Sequence, residues 1–157
     1  MGRAGRSAGD SVVKTLEHTT EIDAPAETVW STITDLGAYG EWNPFLVDVA
    51  GSLDAGSRLA IQMRPGKRSM TFRPTVLEVL PGRTLRWLGR FLVPGIFDGA
   101  HVLTVEPLDG QRSRFTQREH FSGILVPLMG GLIRDTDAGF AAMNEALKRR
   151  AEADVRR

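Results

Sequence analysis

Cysteine is absent from the 157-residue chain, which removes disulfides, thiolate chemistry and zinc-finger frameworks at once. Histidine is scarce: three copies, spread along the chain, make no metal-ligand spacing. Charge of one sign is lacking too. Twenty Lys and Arg against nineteen Asp and Glu leave +1, without the strongly basic face that nucleic acid requires. No apolar run approaches the roughly 20 residues of a membrane span. The opening MGRAGRSAGDS has no apolar stretch of the signal-peptide kind, and Arg6 stands where a myristoylation signal takes Ser or Thr. Phosphate-cradling loops, dinucleotide fingerprints and nucleophile elbows are also missing. The expectation is a soluble cytoplasmic protein without metal, cofactor or nucleic-acid partner.

What is present suits one globular domain. The chain is 41% hydrophobic and 25% charged, and its length allows a sizeable core. Residues 1–10 read as a disordered Gly/Arg/Ser tail, 11–153 as the domain and 154–157 as a frayed end. Basic residues gather only at Arg3 and Arg6 and at Lys148 to Arg150, both read as solvated.

Residues 11–22, rich in Val and Thr, predict a strand. Pro25 then suits a helix start, Val29, Ile33 and Leu36 repeat at helical spacing, and Gly37 is the expected stop. AYGEWNPF reads as a short irregular helix ended by Asn43-Pro44. From Phe45 to Gly123 the pattern is strands separated by Asp54–Gly56, Pro65-Gly66, Pro81-Gly82 and Asp109-Gly110, with antiparallel hairpins at the tight turns. MTFRPTVLEVL changes parity near Pro74, where an edge or bulge is expected. After Pro127 the period becomes 3.6, with Met129, Leu132, Ile133, Thr136, Phe140, Met143 and Leu147 on one stripe. The fold class is therefore α+β: a seven-stranded antiparallel sheet, two short helices after the first strand and one long C-terminal helix. A helix is about 10 Å wide, whereas seven strands at about 4.8 Å span more than 30 Å. The sheet must curl around the helix, and a cavity between them is a reasonable expectation.

RFTQREHFSG carries the chemistry. Phe115, Gln117, Glu119 and Phe121 share one parity, which sends a carboxylate inward between two phenylalanines. His101 shares the inward parity of Leu103 and Val105, and a tight turn at Asp109-Gly110 brings it opposite Glu119 or one residue away. Such a pair has three readings: proton exchange with a ligand, orientation of a ligand, or mutual satisfaction in the core. Gln117 is a second inward polar group, His120 faces outward, and His18 has a parity that reaches the interior. Arg86, Arg90, Arg114 and Arg118 read as an outward basic stripe, either free to meet an anionic partner or neutralised by neighbouring acids.

IDAPAETVW, EWNPF, VLEVLPGRTLRW, FDGAH, FTQREHFSG and GFAAMNEALKRRAE, in this order of strands and helices, resemble the helix-grip superfamily. That superfamily comprises START lipid-transfer domains, plant pathogenesis-related allergens and the polyketide cyclase/dehydrase group, often labelled SRPBCC. The resemblance covers about residues 12 to 152, and it is specific for fold rather than function. It implies a deep apolar pocket between sheet and C-terminal helix, with Trp42 at its rim. Trp87, Phe72, Phe97, Phe115 and Phe121 on the strands, and Met129, Ile133 and Phe140 towards the helix, would line either that pocket or a packed core. Gly95 and Gly99 bracket either a gate at the mouth or a plain turn.

The leading expectation is binding of a hydrophobic small molecule, of lipid, polyketide or isoprenoid type, with His101, Gln117 and Glu119 as its polar contacts. The alternatives are a polyketide cyclase or dehydratase using His101 and Glu119, and an interaction module like the heat-shock-protein activators of the superfamily. A homodimer is one admissible assembly.

Overall fold

The computed structural model describes residues 12–91 and 93–157; the expected tail at 1–10 lies outside them. β1 (Val13–Ile22) leads into α1 (Ala26–Thr34) and, after a 3-10 turn at Leu36–Ala38, into α2 (Tyr39–Trp42). Strands follow as β2 (Leu46–Ala50), β3 (Ala60–Met63), β4 (Met70–Phe72), β5 (Thr75–Leu80), β6 (Thr84–Phe91), β7 (Phe97–Pro107) and β8 (Ser113–Ser122). A 3-10 turn at Val126–Leu128 then opens onto α3 (Gly130–Val155). That last helix has 26 residues, about seven turns.

Two local expectations shift. The first helix stops at Thr34, and Gly37 lies inside the following 3-10 turn. Asn43, by contrast, ends α2 in an extended conformation that suits the residue before proline. Its Oδ1 accepts the backbone N–H of Phe45 at 3.0 Å and of Leu46 at 2.9 Å, which turns the chain into β2.

The single seven-stranded sheet is corrected to two ladders. Five strands run in the order β1-β8-β7-β6-β5 and three in the order β2-β3-β4. The cause is Pro74, which has no N–H and splits the expected strand MTFRPTVLEVL into β4 and β5. The break is narrow. Leu59 N–H still donates to Pro74 O at 2.9 Å, Val76 N–H donates to Ser57 O at 2.8 Å, and Arg58 bridges Thr75. These contacts stitch the ladders into one curved wall. All paired neighbours are antiparallel, as the tight turns predict.

β8 alternates strictly, burying Ser113, Phe115, Gln117, Glu119 and Phe121. The facing stripe of α3 buries Leu132, Ile133, Thr136, Phe140, Met143 and Leu147 against the same interior. On the outer face, register answers the basic stripe. Arg114 stands beside Glu21 and Glu106, Arg118 beside Glu17, and Arg86 across from Glu78. Ion pairs join Arg114 to Glu21 and Glu106, and Arg118 to Glu17. Neutralisation is thus the reading that holds for Arg114 and Arg118.

One glycine fixes how the helix meets the wall. A Cβ on Gly139 would lie 2.2 Å from the Phe45 ring, which is itself buried and edge-on to Phe140 at 5.7 Å. Helix propensity alone favours Gly139→Ala by about 1 kcal/mol. Overpacking instead predicts a net loss of roughly 1–3 kcal/mol, read as a lower urea midpoint. A variant more stable than the parent would show that Phe45 moves aside without cost.

Candidate functional site

Between the wall and α3 lies a cavity of about 130 Å³, partly open to solvent. Phe72, Trp87, Phe97, Phe121, Met129 and Phe140 line it, together with His101 and Glu119. Phe45, Leu46, Met63, Met70, Phe91, Leu132 and Thr136 complete the lining, with Gly89 and Gly99 in its floor and Arg90 also on it. Around this end Phe91, Val93, Ile124 and Leu128 expose large apolar side chains.

Four expected lining residues do not reach the cavity. Trp42 packs on Tyr39, ring centres 5.1 Å apart, and borders a separate surface cleft with Pro44 and Arg64, because α2 lies over β2. Phe115 is fully buried further along β8, opposite Val105, in the filled part of the core. Ile133 follows Leu132 on α3, and a step of about 100° around a helix turns it off the stripe made by Leu132, Thr136 and Phe140. Gln117 lies behind His101, as described below. His18 bonds Asp137 of α3 at 2.8 Å and is not among the lining residues. Arg90, read as outward, borders the cavity from the exposed end of β6.

The lining that sequence reasoning missed had partial signals. Leu132 and Thr136 stood on the helix stripe, and Met63 lies two residues beyond the buried Ile61 on β3, on the same face. Gly99 was assigned to a loop, but it lies in β7 directly across from Gly89 of β6. Two facing glycines leave a notch in the wall. A Cβ on Gly99 would come within 2.3 Å of Glu119 Oε1, so the carboxyl fits only because that side chain is missing.

Register places His101 directly opposite Glu119 and Trp87 directly opposite His101. The imidazole lies parallel to Phe140 at 4.8 Å and edge-on to Trp87 at 5.0 Å. Its Nδ1 is 3.6 Å from Glu119 Oε2, too long for a hydrogen bond. Its Nε2 is 3.1 Å from Gln117 Oε1. Gln117 Nε2 donates to Phe140 O at 3.1 Å and to Asn144 Oδ1 at 2.6 Å. Among the described residues, nothing is hydrogen-bonded to the carboxyl of Glu119.

Burial sets the protonation of both groups. Desolvation pushes Glu119 up to about 8 and His101 down to about 4, the latter opposed in part by the Gln117 bond. Near pH 7 the pair is therefore a neutral acid beside a neutral imidazole. Among the described residues no cation pairs with the carboxyl to reverse this, and the aromatic rings shield the imidazole.

These shifts make stability pH-dependent, with opposite signs. Glu119 ionises near 4.5 when unfolded but near 8 when folded, so its contribution is lost as pH rises through that window. His101 falls from 6.5 to about 4, so its contribution is lost as pH drops through that lower window. Glu119→Gln should therefore gain on the wild type by on the order of a few kcal/mol between about pH 4.5 and pH 8. Urea unfolding of both proteins at the two ends of the range measures it. A difference independent of pH would mean that Glu119 titrates as an ordinary carboxylate.

The family model described as polyketide cyclase / dehydrase and lipid transport matches residues 14–152. No curated protein matches the sequence. Among solved structures, the chain is similar to the Zhui aromatase/cyclase of a Streptomyces species, with 17% identity, TM-score 0.77, and 92% of this chain and 96% of that one covered. It is also similar to a START superfamily protein from Mycobacterium smegmatis, with 21% identity, TM-score 0.67, and 88% and 97% covered. Truncated norcoclaurine synthase from Thalictrum flavum gives 15% identity, TM-score 0.68, and 91% and 96% covered. At such identities the structural likeness establishes the helix-grip fold. The family match spans nearly every element that builds the cavity, and the chain belongs to the polyketide cyclase / dehydrase and lipid transport family.

Proposed function

We propose that the protein binds a hydrophobic small molecule in the cavity between sheet and α3, with an oxygen function of that molecule on Glu119. One observation carries this reading. A carboxyl buried among aromatic rings has no hydrogen-bond partner in the protein, yet it borders an open cavity. That carboxyl faces the cavity and not the packed core, so a ligand oxygen can supply the partner that the protein does not. The apolar remainder of the lining takes the ligand's body. Similarity to a cyclase, a START protein and a synthase supports a small-molecule site on this scaffold without choosing among their ligands.

Acid/base catalysis is the second reading, favoured by the opposed protonation of the pair. A neutral carboxylic acid next to an unprotonated imidazole can protonate a carbonyl oxygen while a proton is taken from carbon. Cyclisation and dehydration of a polyketide-like chain use such steps.

Native mass spectrometry of freshly purified protein, set against a denatured sample, is the first test. The expected result is an added mass lost on denaturation, with its occupancy reduced about tenfold or more in Glu119→Gln. The control is Gly89→Leu. A Cβ at Gly89 meets nothing nearer than Phe72 at 3.4 Å, so the added side chain projects into the cavity and should abolish binding in a folded protein. Undiminished binding by Gly89→Leu would place the ligand elsewhere. Turnover abolished in both His101→Phe and Glu119→Gln, with binding kept in the first, would select the enzymatic reading.

A further inference from the structure

A buried amide rarely fixes the position of a proton, because its oxygen and nitrogen ends have nearly the same shape. Gln117 is an exception, since one of its partners is a backbone carbonyl. Phe140 O, 3.1 Å from Gln117 Nε2, can only accept. The NH2 end of Gln117 therefore faces α3, and its oxygen faces His101 Nε2. An oxygen in that place requires the imidazole proton on Nε2. The second hydrogen of Gln117 Nε2 goes to Asn144 Oδ1, and Asn144 Nδ2 in turn donates to Thr20 Oγ1 at 2.9 Å. From Thr20 of β1 to His101 of β7, each donor and acceptor is then determined.

We infer that Gln117 and Asn144 are positioning residues that hold His101 in its Nε2–H tautomer, so that the cavity presents an imidazole lone pair beside the Glu119 carboxyl. That pairing accepts an uncharged carbonyl or hydroxyl oxygen and turns away a carboxylate. The tautomer follows from hydrogen bonds alone; the ligand class rests on the binding reading above.

The chemistry around Nδ1 supports this pairing. An ionised Glu119 would set its charge 3.6 Å from a lone pair, with repulsion and no compensating donor. A protonated Glu119 has a hydrogen to give, either to a ligand oxygen or back to Nδ1. β6 and α3 contribute Trp87, Thr136 and Phe140 to this end of the lining, none of them charged at neutral pH. The one cation among the described lining residues, Arg90, is exposed, and Asp137 on α3 is engaged by His18. At the His101/Glu119 end a ligand carboxylate would meet no counter-charge among the described lining residues, and burial of an unpaired charge is strongly unfavourable.

The closing experiment has two independent arms. In the first, side-chain 1H–15N correlation spectra of histidine-labelled protein at pH 7 report each nitrogen of His101. Protonated Nε2 with bare Nδ1 is expected; an Nδ1–H tautomer or an imidazolium overturns the inference. Gln117→Met should release the constraint and give a tautomer mixture. A lower melting temperature with unchanged His101 signals would make Gln117 merely structural. Should that variant fail to fold, Gln117→Leu is read the same way, and the wild-type spectrum is decisive in either case.

The second arm compares acetophenone and benzoate, nearly equal in shape, in titrations of the wild type at pH 7. Acetophenone should bind at least tenfold tighter. Equal or tighter binding of benzoate overturns the ligand class while leaving the tautomer intact. If neither binds, the binding reading and its ligand class fail together, and the spectra judge the tautomer separately.

Discussion

The bond from Gln117 to the backbone of Phe140 is the constraint on which the interior turns. It ties β8 to α3 across the core, and it leaves the amide oxygen only one direction to face. His101 takes that oxygen, lies flat on the Phe140 ring and so presents Nδ1 towards Glu119. The same helix residue thus supplies an acceptor through its backbone and a stacking surface through its side chain. Without the helix, β7 and β8 would still pair, but the imidazole would have neither anchor.

Polar and apolar parts of the interior are separated by depth. Behind the imidazole, Gln117, Asn144 and Thr20 satisfy one another in a closed chain, as buried amides must. In front of it, Glu119 borders the cavity unpaired. The notch made by Gly89 and Gly99 gives that carboxyl its room, and desolvation by burial raises its pKa to about 8. A carboxylic acid held protonated near pH 7 is a stronger hydrogen-bond donor than any hydroxyl side chain, and this one faces the cavity.

Much of this was legible in the chain. Period-two alternation in RFTQREHFSG sets Gln117 and Glu119 inward, and the tight turn at Asp109-Gly110 narrows the register to His101 opposite Glu119 or one residue away, of which the fold takes the first. The helical stripe from Leu132 to Leu147 was equally plain. The errors have physical causes. Pro74 breaks a ladder that residue types alone read as one bent strand. Trp42 and Phe115 are apolar and buried or half-buried, as a lining residue would be, but burial does not distinguish a filled core from the edge of a cavity. Gly99 read as loop punctuation because a glycine in a strand leaves no parity signal of its own.

The sequence by itself determined the order of elements, the inward faces and the neighbourhood of the His/Glu pair, because those follow from local periodicity and short turns. Tertiary structure decided which inward residues meet open space, which nitrogen of His101 carries the proton and how far burial moves the pair from ordinary acidity. These depend on α3 meeting β8 across residues far apart in the chain. Periodicity has no term for that distance, and only packing sets it.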